Sequence, residues 1–288
     1  MTEITPKQQV LVPFDFSPAA DKALVYAQEL ARLFACEISI FHTVTKKFAK
    51  ANSGDMESDT KVKSKLATMA NTIRTDNNIP VNIYVFKGEI HDIINKIYQK
   101  LNAIAITVGL NEIRSKTDYF TSASVVSDYR DLRIPLIIVH EELPRKTIYE
   151  NIILPLDFNR ESKEKAAWSG YISTLSKSKV RILTRSYKDA YFAASLRNNI
   201  VLVEKLFYNL GVQFELLKEP NITVDIDKYA VEYAWMNQGD LIVVMATKEV
   251  AVDDLLFGLN EKKIIENKYK IPVMLINPRD DLYLPCGC

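Results

Sequence analysis

Two aspartates occupy the same local setting in two distant parts of the sequence. Asp15 lies in the block LVPFDF (residues 11–16), and Asp157 lies 142 positions later in the block LPLDF (residues 154–158). In each block an apolar run leads to Pro, one apolar residue, Asp and Phe, and a helix-like stretch follows. Such a carboxylate could accept hydrogen bonds from a base or a ribose hydroxyl, or it could cap a helix and brace a turn. Both interpretations stay open at this point.

The far ends of the two segments repeat as well. IPLIIVH begins at Ile134 and IPVMLIN begins at Ile271. A match at both ends predicts an internal duplication, with its seam in the polar stretch 141–149. We therefore predict one domain over residues 1–143, a second over 148–279, and a tail over 280–288.

Strand-like apolar runs alternate with helix-like segments in each half. In the first half a strand is predicted at 9–13, a helix after the cap Ser17, a loop at 46–59 and a strand at 103–108 that ends at Gly109. The second half repeats this order. Alternating strands and helices predict two tandem α/β domains, each an open, doubly wound parallel sheet with helices on both faces. In such sheets a ligand binds at the carboxyl ends of the strands, where the strand order reverses.

Composition narrows the function. The chain has 288 residues and a net charge of +1, which argues against a protein that binds nucleic acid or a membrane surface through bulk charge. No apolar run is long enough to span a bilayer, and the first residues lack the apolar core of a signal peptide. We expect a cytoplasmic protein. The sequence contains no recognisable catalytic, metal-ligating or phosphate-loop motif, so we expect no enzyme activity and no metal.

Several aromatic rings have a less specific interpretation. His42 ends a predicted strand and could line the pocket or fill space, and we favour the space-filling interpretation. Tyr191, Phe192, Phe207 and Tyr208 recur on one predicted helix, and core packing is the interpretation that we favour.

The repeated segments resemble the universal stress protein family. The residues that carry the likeness are VLVPFDFSPAADKALVYAQELA and IILPLDFNRESKEKAAW, which open the halves, and IAITVGLN with IPLIIVHEE and DLIVVMATK with FGLNEKKIIENKYKIPVMLI, which close them. The resemblance covers nearly the whole chain, twice. It implies two five-stranded, Rossmann-like domains of the adenine nucleotide hydrolase type, with strand order 3-2-1-4-5. It also implies pairing of the two domains within the chain, and it leaves a homodimer open.

Many members of this family bind ATP through three glycines and a hydroxyl, in the spacing Gly, two residues, Gly, nine residues, Gly, Ser or Thr. In the first half this pattern falls on Gly109, Glu112, Ser122 and Ala123, so only the first glycine is kept. Arg114 in the same loop could attract phosphate or could be an ordinary solvated charge. ATP in the first domain therefore stays an alternative rather than the prediction.

In the second half the pattern departs further. It falls on Ala246 and Glu249, and Gly258 matches the third glycine, after a loop that is one residue shorter and acidic. Like charge would oppose phosphate there. The candidate ligand-binding residues are Asp15, Gly109, Arg114, Ser122, Ala123, Asp157 and Gly258.

These observations predict a non-enzymatic, cytoplasmic stress-response protein with weak or lost ATP binding. It would act through protein partners, or through an adenine nucleotide or another small ligand. Two alternatives stay open: an ATP-binding sensor that uses the first-domain pocket, and a slow nucleotide hydrolase.

Overall fold

The fold is that of a computed structural model, which describes residues 7–44, 56–111, 120–219, 225–246 and 259–278. The chain divides into two compact units, Met1–Leu143 and Pro144–Cys288. Each unit contains five parallel strands and a set of buried apolar side chains.

The first unit alternates strands with helices along its described residues. Its elements are β1 (Gln9–Pro13), α1 (Pro18–Phe34), β2 (Glu37–Val44), α2 (Met56–Asn77), β3 (Val81–Lys87), α3 (Ile90–Lys100), β4 (Ala103–Leu110), α4 (Ser122–Tyr129) and β5 (Leu136–His140). The strands run parallel in the order β3-β2-β1-β4-β5. The strand order reverses between β1 and β4, so the ends of these two strands form the crevice at which such sheets bind ligands.

The second unit repeats this plan. Its elements are β6 (Asn151–Pro155), α5 (Ser162–Ser176), β7 (Lys179–Arg185), α6 (Ala190–Leu210), β8 (Gln213–Glu219), α7 (Ile226–Met236), β9 (Leu241–Met245), α8 (Leu259–Ile265) and β10 (Val273–Ile276). Its parallel strands follow the order β10-β9-β6-β7-β8. Both units therefore have the predicted order 3-2-1-4-5, and the predicted fold class is confirmed.

The sequence explains why the first helix begins where it does. Ser17 lies in an extended conformation and its Oγ accepts a hydrogen bond from the backbone N–H of Ala20 at 3.1 Å. Pro18 occupies the first helical turn, where its missing N–H costs nothing. All five residues of β1 are buried, as expected of a central parallel strand. Asp15 and Phe16 thus lie in a short, well-defined turn between a buried strand and a capped helix.

Some local predictions are wrong. The loop predicted up to Asp59 ends earlier, because α2 begins at Met56. Strand β4 continues through Gly109 to Leu110, because Gly109 pairs with Val139 of β5 as an ordinary strand residue.

The aromatic side chains of α6 also differ from prediction. Phe207 is fully buried, but Tyr191 and Tyr208 are 74% and 75% exposed. A helix that is aromatic on several faces cannot bury all of them against one sheet, so the core interpretation holds for Phe207 alone among these three.

Candidate functional site

The first crevice lies at the carboxyl ends of β1 and β4, and Asp15 stands in its mouth. The Asp15 carboxylate is partly buried and is held by two groups of its own chain. The backbone N–H of Ser17 donates to Oδ1 at 3.0 Å, and Nδ2 of Asn111 donates to Oδ2 at 2.7 Å. The first contact braces the turn, and the second connects the ends of β1 and β4.

Phe16 forms one wall of the first crevice. It has a φ of 65°, which is uncommon for a residue other than glycine. Its ring lies 5.3 Å from the Phe14 ring and 5.3 Å from His42, and Nζ of Lys65 lies 5.6 Å from its centroid. These contacts fix an aromatic surface beside Asp15.

His42 belongs to the same wall. It is 5% exposed, and its Nδ1 lies 2.7 Å from the carbonyl oxygen of Phe14. A carbonyl can only accept, so Nδ1 carries the hydrogen of this bond. His42 therefore ties β2 to the end of β1, which agrees with the space-filling interpretation.

Gly109 has a packing reason to be glycine. A Cβ at this position would lie 2.3 Å from the carbonyl carbon of Ala19 and 2.4 Å from the backbone nitrogen of Ala20. The first turn of α1 therefore approaches β4 so closely that no side chain fits between them. This contact accounts for the glycine without a phosphate.

The hydroxyls near α4 are used within the chain. Ser122 is 2% exposed. Thr121 caps α4 and accepts from the backbone N–H of Ser124 at 3.4 Å, and the Ser124 hydroxyl donates to the Thr121 carbonyl at 3.0 Å. Ala123 lies in the first turn of α4. Arg114 and Glu112 lie outside the described residues.

Asp157 occupies the corresponding place in the second crevice, at the end of β6. Its Oδ1 accepts from the backbone N–H of Asn159 at 2.9 Å and from the Ser162 hydroxyl, and its Oδ2 accepts from Nδ2 of Asn159 at 2.9 Å. The carboxylate therefore has three donors from the five residues that follow it. Gly258 and Glu249, on which the glycine pattern falls in the second half of the sequence, lie outside the described residues.

The turn after Asp157 is also fixed from helix α6. Asn199 is 4% exposed, and its Nδ2 donates to the carbonyls of Asp157 and Asn159 at 2.9 and 2.8 Å. Phe158 stacks on Phe192 of α6 with a centroid distance of 4.2 Å, and Tyr187 packs edge-on at 5.0 Å. The chain's own aromatic rings thus cover this side of the second crevice.

A buried lysine lies beneath the second crevice. Lys165 of α5 is 1% exposed, and its Nζ lies 3.9 Å from Oδ1 of Asp227. The pKa of Asp227 is raised to about 6, first because burial disfavours the charged form and also because the carboxylates of Asp225, Asp157 and Glu261 repel it; Lys165 partly offsets this rise. Asp227 thus lies within interaction range of three other carboxylates and one ammonium, and this excess of negative charge opposes a phosphate.

Lys165 and the two asparagines, Asn111 and Asn199, are site residues that sequence reasoning missed. A signal for Lys165 exists, because it lies 142 positions after Ala23, the spacing that separates Asp15 from Asp157. Ala23 is fully buried, so the corresponding helix of the second unit carries a lysine at a core position. No comparable signal marks Asn111 or Asn199, whose partners are distant in sequence.

Two further searches covered only the described part of the chain. No cluster of three or more His, Cys, Asp or Glu side chains there has a metal-binding arrangement. None of the helices described is both long and apolar enough to cross a membrane.

Comparison with known proteins gives the same fold. The structure is similar to a universal stress protein from Archaeoglobus fulgidus DSM 4304, with a TM-score of 0.73, 16% identity, and coverage of 93% of this chain and 98% of that chain. It is also similar to a functionally unknown protein from Pseudomonas aeruginosa PAO1, with a TM-score of 0.60, 13% identity, and coverage of 94% and 93%. Identities this low show the fold alone.

The sequence comparisons are more specific. A search of curated proteins found no match. The family model described as the universal stress protein family matches residues 7–139. Residues 7–139 therefore form a domain of the universal stress protein family.

Proposed function

We propose that this protein is a non-enzymatic, cytoplasmic stress-response regulator with weak or lost ATP binding. The observation that carries the proposal is the second crevice, where the chain's own groups hydrogen-bond the Asp157 carboxylate and stack on the adjoining Phe158. Asp157 is satisfied by Asn159 and Ser162, and Phe158 is covered by Phe192. A nucleotide there would have to displace these contacts, and its phosphates would be repelled by the nearby carboxylates.

The first crevice supports the same proposal by its residues. The positions that would approach phosphate carry Glu112, Ser122 and Ala123 instead of glycine, glycine and a hydroxyl. Ser122 is buried, and the remaining glycine, Gly109, is required by the packing of α1. Regulation would then depend on protein partners or on a ligand other than ATP.

Calorimetric titration with ATP and Mg²⁺ tests the proposal. We expect no binding by the wild-type protein up to millimolar ATP, and the same result for Asp15→Ala. Restoring Glu112→Gly, Ser122→Gly and Ala123→Ser together should produce measurable binding, which serves as the positive control. Micromolar binding by the wild type would overturn the proposal.

A second candidate function is an ATP sensor confined to the first domain. The observation that favours it is the contrast between the crevices: Asp15 is held by one backbone amide and by Asn111, and the Phe16 ring stands beside it. ATP binding that is lost on Asp15→Ala and kept on Asp157→Ala would establish this sensor. Phosphate release above that of Asp15→Ala would establish a hydrolase instead.

A further inference from the structure

The outer strand of the first unit, β3, presents backbone groups that the sheet does not use. Within the described ranges β3 pairs with β2 alone. Two bonds show which residues face β2: the Ile38 N–H donates to the Pro80 carbonyl at 2.9 Å, and the Gly88 N–H donates to the Val44 carbonyl at 3.1 Å. Backbone groups alternate along a strand, so the even-numbered residues face β2 and Val81, Ile83, Val85 and Lys87 face outward.

One end of this outward row is already capped. Arg74 of α2 donates from Nη2 to the Val81 carbonyl. This side chain closes the edge at the start of β3, as charged residues commonly do at sheet edges. The capping contact leaves the backbone of Ile83 and Val85 as the next outward-facing groups along the strand.

A groove lies at this second part of the edge. It has a volume of about 300 Å³ and is lined by α2 and β3 through Thr60, Lys63, Ser64, Ala67, Ile83, Tyr84 and Val85. We refer to these seven residues as the edge groove. Its volume is at the low end of small-molecule pockets, which span roughly 300–1,000 Å³. Its position beside an outward-facing strand edge suits an extended peptide better, because main-chain bonds and side-chain pockets are then available together.

The charge around the edge groove indicates which kind of peptide would bind there. Lys63 is exposed and lines the edge groove, and Lys87 is exposed at the end of β3. A second copy of this chain pairing through β3 would bring like charges together, which disfavours self-association. An acidic segment would instead meet opposite charge.

We infer that the edge groove binds an extended, acidic segment of a partner protein, which adds a sixth strand beside β3. The added strand exchanges main-chain hydrogen bonds with Ile83 and Val85 and places a carboxylate against Lys63. Tyr84 and Phe86, which stack at 5.8 Å, offer an aromatic surface to its side chains. This inference goes beyond the function proposed above, and binding of ATP in a crevice would not bear on it.

Selection from a phage-displayed library of random octapeptides on the full-length protein tests the inference. The enriched peptides are expected to be rich in β-branched residues and to carry Asp or Glu. Synthetic versions should bind in a fluorescence-anisotropy titration, and N-methylation of alternate peptide amides should weaken binding at least tenfold. Absence of an enriched family, or binding that tolerates N-methylation, would overturn the inference.

Matched variants of the protein locate the site. Val85→Pro removes an outward N–H without removing a bond to β2, and proline is tolerated on strand edges in this orientation. This variant should lower the affinity for the peptide at least tenfold. Lys63→Glu should lower it several-fold, whereas Lys61→Glu, two residues away on another side of α2, should leave it unchanged. Equal binding by wild type and Lys63→Glu would refute the charge assignment. A dimer that Val85→Pro dissociates in sedimentation would refute the partner in favour of a second copy.

Discussion

At the scale of single residues, equivalent positions in the two units have diverged in use. Asp15 and Asp157 both end a first strand, but Asp15 connects β1 to Asn111, whereas Asp157 is bonded within its own turn. Ala23 is core in the first unit, and its counterpart Lys165 carries a buried charge in the second. The two units thus share a strand order, whereas the side chains at their crevices differ.

Gly109 provides the sharpest prediction at this scale. Gly109→Ala places a Cβ within 2.5 Å of three backbone atoms of Ala19 and Ala20, none of which can rotate away. We expect the first unit to lose roughly 1–3 kcal/mol of unfolding free energy, or more, as α1 is forced from β4. Both tryptophans, Trp168 and Trp235, lie in the second unit, so hydrogen exchange of first-unit amides is the suitable measurement.

Gly170→Ala is the matched control. Its Cβ would lie 3.0 Å from Cδ1 of Leu210 and 3.2 Å from Cε1 of Phe207, which are side-chain atoms that can shift. Gly170 lies inside α5, where alanine favours the helix by about 1 kcal/mol. We expect little change in stability. Equal stability of Gly109→Ala and wild type would contradict the packing explanation.

Asp227 predicts a pH dependence of the second unit. Its pKa of about 6 in the fold exceeds the ordinary 3.8, first because burial disfavours the charged form. A raised pKa means that the folded state binds the proton more tightly, so this stabilisation is complete below pH 3.8 and is lost as the pH rises through 6. As the pH rises from 4 to 7, the unfolding free energy of Asp227→Asn should therefore increase relative to that of the wild type, by on the order of 2 kcal/mol.

Urea unfolding followed by tryptophan emission measures this difference. Glu215→Gln is the contrasting variant, because the hydrogen bond from Lys179 lowers the pKa of Glu215. The stabilisation by Glu215 is present above its ordinary pKa of 4.5 and is lost as the pH falls. The pH dependence of Glu215→Gln relative to wild type should therefore have the opposite sign to that of Asp227→Asn. A pH-independent difference for Asp227→Asn would show that ionised Asp227 is not disfavoured in the fold.

At the scale of elements, the contact between α6 and the turn after β6 shapes the second crevice. Asn199→Leu keeps the volume but leaves the carbonyls of Asp157 and Asn159 without their donor. We expect a loss of about 1 kcal/mol, because the two carbonyls are only partly buried and the cost lies at the low end of the roughly 1–3 kcal/mol for an unsatisfied buried acceptor. Tryptophan-monitored urea unfolding measures it. Asn198 is the neighbouring exposed residue and supplies the control, because Asn198→Ala should change the unfolding free energy little.

The sequence predicted elements better than their ends and contacts. Strand β1 and the start of α1 lie where they were predicted, because an apolar run marks the strand and Ser17 caps the helix. The start of α2 was missed, since the polar segment MESDTK carries no apolar stripe. The direction in which a side chain points was harder to predict. The same helical pattern of aromatic residues contains both the buried Phe207 and the exposed Tyr208.

The candidate site was predictable only in part. The positions of Asp15 and Asp157 at strand ends followed from the repeated blocks. The bonds that engage them did not, because Asn111 is 96 residues from Asp15 and Asn199 is 42 residues from Asp157. Contacts over such separations depend on the folded topology rather than on local pattern. The roles of Arg114 and Gly258 stay predictions.

At the scale of the whole molecule, the two units share one topology, but the chemistry of each crevice needs a separate explanation. Each has a complete five-stranded order and its own buried core. The family model matches the first unit, whereas the acidic, aromatic-lined crevice lies in the second. A duplicated fold can therefore keep its architecture while the chemistry of each crevice changes independently.

If each unit is a domain in its own right, residues 144–288 should fold when expressed alone. The reason is that β6, the central strand, finds both of its neighbours, β7 and β9, within that fragment. We expect a cooperative urea transition and blue-shifted tryptophan emission that reddens on unfolding. Residues 144–238 form the matched control, because this fragment keeps both tryptophans but loses β9 and leaves one side of β6 unpaired. If the two fragments behave alike, the boundary between the units does not separate independent domains; if only the longer one folds, the crevice of the second unit can be titrated by itself.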